Sequence, residues 1–295
     1  MTRSITVLDG GTGRELHRVG APFRQPEWSA LALIEAPETV RQVHEAYLAA
    51  GADVITSNSY ALSPFHIGAE RFAAAGGHLA DLAGRMGRAA IGDGPGRLAG
   101  SLPPVLGSYR PDLFDPRTAT PLLRTLVDGL SPHVDLWLAE TLSSLAEARL
   151  VREILGPGSA PLWVSFTLQD DGDPAVAVLR SGEPAAEAAR TAMDIGAETL
   201  LFNCSQPEVM LGAVTAARAV IGSAPLKIGV YANAFPPQRP DAQANDGLDP
   251  IREDLDPQHY VAFAKAWNAA GAEVIGGCCG IGPAHIRALA DAFEA

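Results

Sequence analysis

Ala270-Gly271-Ala272-Glu273-Val274-Ile275-Gly276-Gly277-Cys278-Cys279-Gly280 begins as a helix end and finishes as two thiols set among glycines. Gly271 stops the helix, and Ala272 to Ile275 reads as a short buried strand. The same pattern stands upstream in Ala50-Gly51-Ala52-Asp53-Val54-Ile55 and in Ile195-Gly196-Ala197-Glu198-Thr199-Leu200. Counting eight residues on from each glycine gives Ser59, Cys204 and Cys279. Three distant segments thus carry a polar or thiol group at one register. In a closed barrel of strands these positions share one rim, which would let Cys204 meet the Cys278–Cys279 pair.

Working outward, short apolar runs alternate with helical patterns along the whole chain. The strand-like runs are Ile5–Leu8, 53–60, Leu98–Leu102, Asp135–Ala139, Leu162–Phe166, Thr199–Phe202, Leu226–Tyr231 and Val274–Ile275. Helices are expected from Pro37 to Gly51, through most of 64–96, near 118–130, and over 145–155, 183–195 and 258–270. Alternation of this kind specifies parallel βα units. Eight of them close a TIM-type (β/α)8 barrel, predicted as a single α/β domain over residues 1–295. The alternative is an open doubly wound sheet. That fold normally carries G-x-G-x-x-G after its first strand, and Gly10-Gly11-Thr12-Gly13 does not match it. The segment from Phe235 to Pro257, rich in proline, aspartate and asparagine, is either a functional cover or a surface insertion.

The balance of 47% hydrophobic and 19% charged residues is that of a globular protein, with ample length for a large core. A formal net charge of −12 argues against nucleic-acid partners and anionic membrane surfaces, and is compatible with a cationic small molecule. There is no secretory leader pattern and no apolar run long enough to span a bilayer. Three cysteines do not suggest a disulfide framework. The expectation is a cytoplasmic, reduced enzyme.

Neighbouring side chains on a regular strand point to opposite faces. Cys278 and Cys279 can therefore serve one metal only if the backbone leaves the pleat there, and glycine permits that. With Cys204 they make a three-ligand site with one open position, the layout of a catalytic zinc. The competing readings are buried cysteines as small core residues and a disulfide between the adjacent pair. Three thiolates leave zinc a poor activator of water but well suited to binding a fourth thiol and keeping it nucleophilic. Alkyl transfer to sulfur is the natural reaction. Asp9 and Glu140 end the first and fourth strands. Together with the amides of Gly10 and Gly11 they could take the ammonium and carboxylate of an amino acid.

The residues Asp9-Gly10-Gly11, Glu140-Thr141, Asn203-Cys204 and Gly276-Gly277-Cys278-Cys279-Gly280 resemble the homocysteine S-methyltransferase family. So do Trp28-Ser29-Ala30, Val43-His44 with Tyr47, Ala50-Gly51-Ala52-Asp53, and Thr56 through Tyr60. The resemblance implies a zinc-bearing barrel that methylates homocysteine to methionine. By position it implies that Cys204, Cys278 and Cys279 bind zinc, that Asp9 and Glu140 hold the homocysteine ammonium, and that Gly10 holds its carboxylate. Gly11, Thr56, Tyr60 and Asn203 complete the implied substrate site. The homocysteine thiolate would displace in line on the methyl of a cationic donor. S-methylmethionine is the favoured donor and S-adenosylmethionine the second, with Trp28 and Tyr60 as aromatic faces for the cation. His44, His66, His259 and His285 read as surface or packing residues. Two departures stand near the expected mouth. Ile281-Gly282 replaces a pair of threonines, and Ala232-Asn233-Ala234-Phe235 replaces Pro-Asn-Ser-Gly. Methylation of another thiol or selenol, or a non-catalytic zinc- and thiol-binding barrel, are the alternatives.

Overall fold

The structure, a computed structural model, describes residues 3–171, 176–237 and 250–294. The middle of the irregular segment, 238–249, lies outside the described residues, so neither expectation for it is addressed. Strands β1 (Thr6–Val7), β2 (Val54–Thr56), β3 (Arg97–Leu102), β4 (Leu136–Leu142), β5 (Leu162–Phe166), β6 (Thr199–Asn203), β7 (Lys227–Tyr231) and β8 (Val274–Ile275) form one parallel sheet. Each strand from β2 to β7 pairs with the next in sequence, and β8 pairs with β1. A bridge between Leu8 and Val54 closes the ring, with Asp53 N–H donating to Val7 O at 2.8 Å and Asp9 N–H to Val54 O at 3.0 Å. A closed ring has no free edge and excludes the open-sheet alternative.

Helices fill the crossovers where expected, and their starts follow from local chemistry. Asp115 caps helix Pro116–Leu130 through Thr118 N–H at 3.0 Å, and Asp256 caps helix Pro257–Ala269 through Gln258 and His259 N–H, both at 2.9 Å. Glu147 closes a capping box with Ser144 at the head of helix Leu145–Leu155. Helix Pro283–Ala292 begins where a helix start is expected near His285, whereas helices Thr12–Arg18, Ser29–Glu35 and Pro207–Ile221 have no counterpart in the sequence reading. The first of these three begins inside what reads as a glycine turn, and the third announces itself by proline at its first position.

The pleat sorts the strands into two cores. Leu8, Val54, Ala99, Leu136, Leu138, Trp163, Leu201, Tyr231 and Val274 pack inside the barrel. Ile55, Leu98, Trp137, Ala139, Val164, Phe166, Leu200, Phe202 and Ile275 pack outward against the helices. Each large side chain so buried contributes roughly 1.5–3 kcal/mol. The inward set continues two residues further along each strand as Thr56, Ser101, Glu140, Ser165 and Asn203, a polar layer above the apolar one.

Candidate active site

Above that layer, at the C-terminal ends of the strands, lies a cavity of about 150 Å³. Its wall includes Asp9, Gly10, Gly11, Thr56, Tyr60, Glu140, Cys204, Cys278 and Cys279, together with Trp28, His66, Ser108, Tyr109, Thr141, Tyr231 and Phe235. The sulfurs of Cys204, Cys278 and Cys279 lie within 4.8 Å of one another. Cys204 and Cys278 are in direct contact, with Cα atoms 5.8 Å apart; the touching pair is not the adjacent one.

Two departures from regular strand geometry bring the thiols together. Asn203 faces inward, so an extended Cys204 would face the helices. Its φ of +50° turns it inward instead. After Ile275 the chain keeps pairing on both sides, with Gly277 N–H donating to Asp9 O at 2.9 Å and Cys278 N–H to Ala232 O at 2.9 Å. A turn then follows, Ile281 N–H to Cys278 O at 3.0 Å, and it presents Cys279 beside Cys278. Gly280 adopts φ +86° in this turn. A Cβ on Gly277 would sit 2.1 Å from Ile281 Cγ2, so only glycine fits. A cluster of three thiols with no carboxylate or imidazole fits a metal of zinc's kind.

The carboxylates are buried and held. Asp9 Oδ2 accepts from Thr56 N–H at 2.7 Å and Oδ1 from Thr56 Oγ1–H at 2.9 Å. Glu140 accepts from the Ser101 hydroxyl and, at 3.3 Å, from the Tyr231 hydroxyl. Burial outweighs these bonds and pushes Asp9 up to about 8 and Glu140 up to about 7. Among the described residues neither forms an ion pair; Thr56 bonds to Asp9, and Ser101 and Tyr231 bond to Glu140. A positive charge placed between them would supply what the fold omits.

Several expectations need correction. Asn203 is fully buried and stands behind the cavity wall. Its Oδ1 accepts from Thr141 N–H at 3.1 Å and Ser165 Oγ–H at 2.7 Å, and its Nδ2 donates to Thr141 Oγ1 at 2.9 Å. It steadies Thr141 at φ +58° and has no face for substrate. The Gly11 N–H is taken by Ile281 O at 3.0 Å, so it is not open to a carboxylate. Ser59 shares the glycine-plus-eight register, yet its hydroxyl donates to Ser101 O behind the wall. His66 lines the cavity instead of packing away, with Nδ1 3.0 Å from Pro26 O. His44 is buried, His285 caps helix Pro283–Ala292, and His259 is exposed, as expected.

The sequence reading overlooked Ser108, Tyr109 and the inward hydroxyl of Tyr231. Ser108 binds the Tyr60 hydroxyl at 2.5 Å. Ser108 and Tyr109 lie in the loop after β3 and Tyr231 is the last residue of β7, and those positions were the available signal. Trp28, Tyr109, Thr141 and Cys204 are the non-glycine residues with positive φ among those described, and all four border this cavity. Strain of about 1–3 kcal/mol per residue gathers where geometry is dictated by function.

The family model for homocysteine S-methyltransferase matches residues 6–293. Homocysteine S-methyltransferase 4 of Zea mays is 32% identical, covering 98% of this chain and 89% of that protein. Homocysteine S-methyltransferase of Escherichia coli (strain K12) is 31% identical over 97% and 94%. Selenocysteine Se-methyltransferase of Brassica oleracea var. italica is 28% identical over 98% and 88%. The solved structure of the homocysteine methyltransferase MmuM from Escherichia coli, in a metallated form, superposes with a TM-score of 0.78 at 28% identity, covering 98% and 96%. No helix among the described residues is long and apolar enough to cross a membrane. Eight parallel strands, a rim of three converging thiols and a match running almost end to end agree: the chain belongs to the homocysteine S-methyltransferase family of enzymes.

Proposed function

We propose that the protein transfers a methyl group from a sulfonium donor, S-methylmethionine first and S-adenosylmethionine second, to the thiol of L-homocysteine, giving L-methionine. One observation carries this. A single cavity holds three convergent thiols and two buried carboxylates that form no ion pair among the described residues. Cys204, Cys278 and Cys279 would hold zinc, which when bound keeps an acceptor thiol deprotonated near neutral pH.

The chain's own residues supply orientation. Asp9 and Glu140 take the acceptor's ammonium, and its arrival favours the ionised form of both, so protons leave the pair. Thr56 acts by holding Asp9, with Gly10 beside it at the amino-acid end. A side chain on Gly10 would meet Ile281 O at 2.2 Å, so backbone alone lines the wall there. Trp28 and Tyr60 offer aromatic faces to the donor's positive charge. The acceptor sulfur attacks the donor methyl in line. One carbon–sulfur bond forms as the other breaks, and the donor leaves as a neutral thioether. With both partners held, the rate gain is chiefly positional.

Zinc-loaded protein mixed with homocysteine and S-methylmethionine should yield methionine. No methionine from any sulfonium donor sinks the proposal. A second acceptor class, a selenol, is favoured by the likeness to the Brassica selenocysteine Se-methyltransferase. Competition between homocysteine and selenocysteine for one labelled donor decides between them.

A further inference from the structure

We propose that Phe235 limits the size of the methyl donor, favouring a sulfonium with short arms over one that bears a nucleoside. The inference rests on the sulfonium chemistry proposed above and names its donor class. Phe235, 5% exposed, forms part of the cavity wall.

The ring shares the cavity wall with the three cysteines, and the bonds just before it tie its backbone to Cys279. Ala234 N–H donates to Cys279 O at 2.8 Å, and Ala234 O accepts from Arg252 N–H at 2.8 Å. Phe235 is then tied at both of its own backbone groups. Its N–H donates to Asn233 Oδ1 at 3.2 Å, and its carbonyl accepts from Gln206 Nε2–H at 3.1 Å. The Arg14 guanidinium lies 5.2 Å from the ring centroid. Four backbone bonds and a cation over the ring leave the phenyl group little room to swing aside. A donor must place its methyl beside the acceptor sulfur, so its remaining arms pass this wall. A benzyl group in this wall takes space that a methyl-bearing sulfonium does not need and a nucleoside does. Gln206 serves as a positioning residue here. Its own N–H is held by Asp170 Oδ1 at 2.9 Å, within the buried Asp170–Arg180 pair. That pair also places the Arg180 guanidinium 4.9 Å from the ring centroid of Tyr109, the aromatic wall beyond β3.

The test is Phe235→Ala, with Phe235→Leu as the variant that keeps bulk. The bonds that hold this turn are made by backbone groups and survive both changes. The wild-type protein should favour S-methylmethionine over S-adenosylmethionine in kcat/KM. Phe235→Ala should shift that ratio toward S-adenosylmethionine by at least about tenfold, within what one pocket wall can discriminate. Phe235→Leu should stay near wild type, and the KM for homocysteine should hold in both. An unchanged ratio in a Phe235→Ala protein of wild-type Tm overturns the inference, as does a wild-type preference for S-adenosylmethionine. Calorimetric binding of the two sulfonium ions separates this from the proposed reaction. If no protein makes methionine, the reaction proposal fails, while a gain or no gain of S-adenosylmethionine binding in Phe235→Ala still supports or overturns the role of Phe235.

Discussion

The two ends of the barrel interior are built by the same strands, one pleat apart, and they behave oppositely. Toward the N-terminal ends sit Leu136, Trp163, Leu201 and Val274, apolar, at most 1% exposed and free of positive φ. Two residues further along the strands stand Thr56, Ser101, Glu140, Ser165 and Asn203, and burial holds the carboxyls of Glu140 and of neighbouring Asp9 against ionisation. Four strained non-glycine residues ring that upper end. The lower layer stabilises the fold, and that stability offsets an upper layer that is unfavourable until ligands arrive.

Substitutions at the two ends should therefore separate chemistry from stability. The largest effect is expected for Cys204→Ser. Methyl transfer should fall by about 10⁴-fold, roughly 5.5 kcal/mol, together with metal content measured on the purified protein. Full activity in that variant would refute the three-thiol site. Trp163→Ala, at the lower end, should destabilise the protein by about 3–5 kcal/mol in urea unfolding and leave kcat of the folded fraction unchanged. A fall in kcat would erase the distinction between the layers.

Asp9→Asn should raise the KM for homocysteine by an amount equivalent to about 2–3 kcal/mol, the worth of a charged hydrogen bond. Its effect on stability has the opposite sign. Asp9 has a folded pKa of about 8 against an ordinary 3.8, so it binds a proton more tightly in the folded state. The stability it contributes is complete below about pH 4 and is lost as pH rises toward 8. Metal-free wild-type protein should lose stability between pH 5 and 8, and Asp9→Asn should flatten that slope. A steeper slope in the variant would contradict the assignment. Homocysteine binding near pH 6.5 should release protons, read as a dependence of calorimetric heat on buffer ionisation.

The smallest effect belongs to Asn203→Ala. Loss of its bonds to Thr141 should reduce kcat/KM for homocysteine by about 1–2 kcal/mol with metal content intact. Loss of metal would place Asn203 in the thiol site after all.

The barrel was legible because eight apolar runs, helix-stop glycines and proline helix starts are local signals. Glu140 was legible too. Leu136, Leu138 and Glu140 alternate on one face, so period two alone points Glu140 inward. Asn203 obeys the same rule, yet it is fully buried behind the wall and bonded to neighbours on β4 and β5. His66 was read as a surface or packing residue because it lies on a four-residue helix, Pro64–Ile67, whose direction no periodicity can set. Gly11 was misread because its N–H partner, Ile281, is some 270 residues away.

By itself the sequence determined the order of strands and helices, the inward face of each strand and the presence of three thiols. These follow from hydrophobic periodicity and from glycine and proline, which act within a few residues. Only the tertiary structure decided which polar groups remain open to a ligand. A donor or acceptor is spent or spared by partners far along the chain, and one dihedral, as at Cys204, can reverse the face that the pleat assigns.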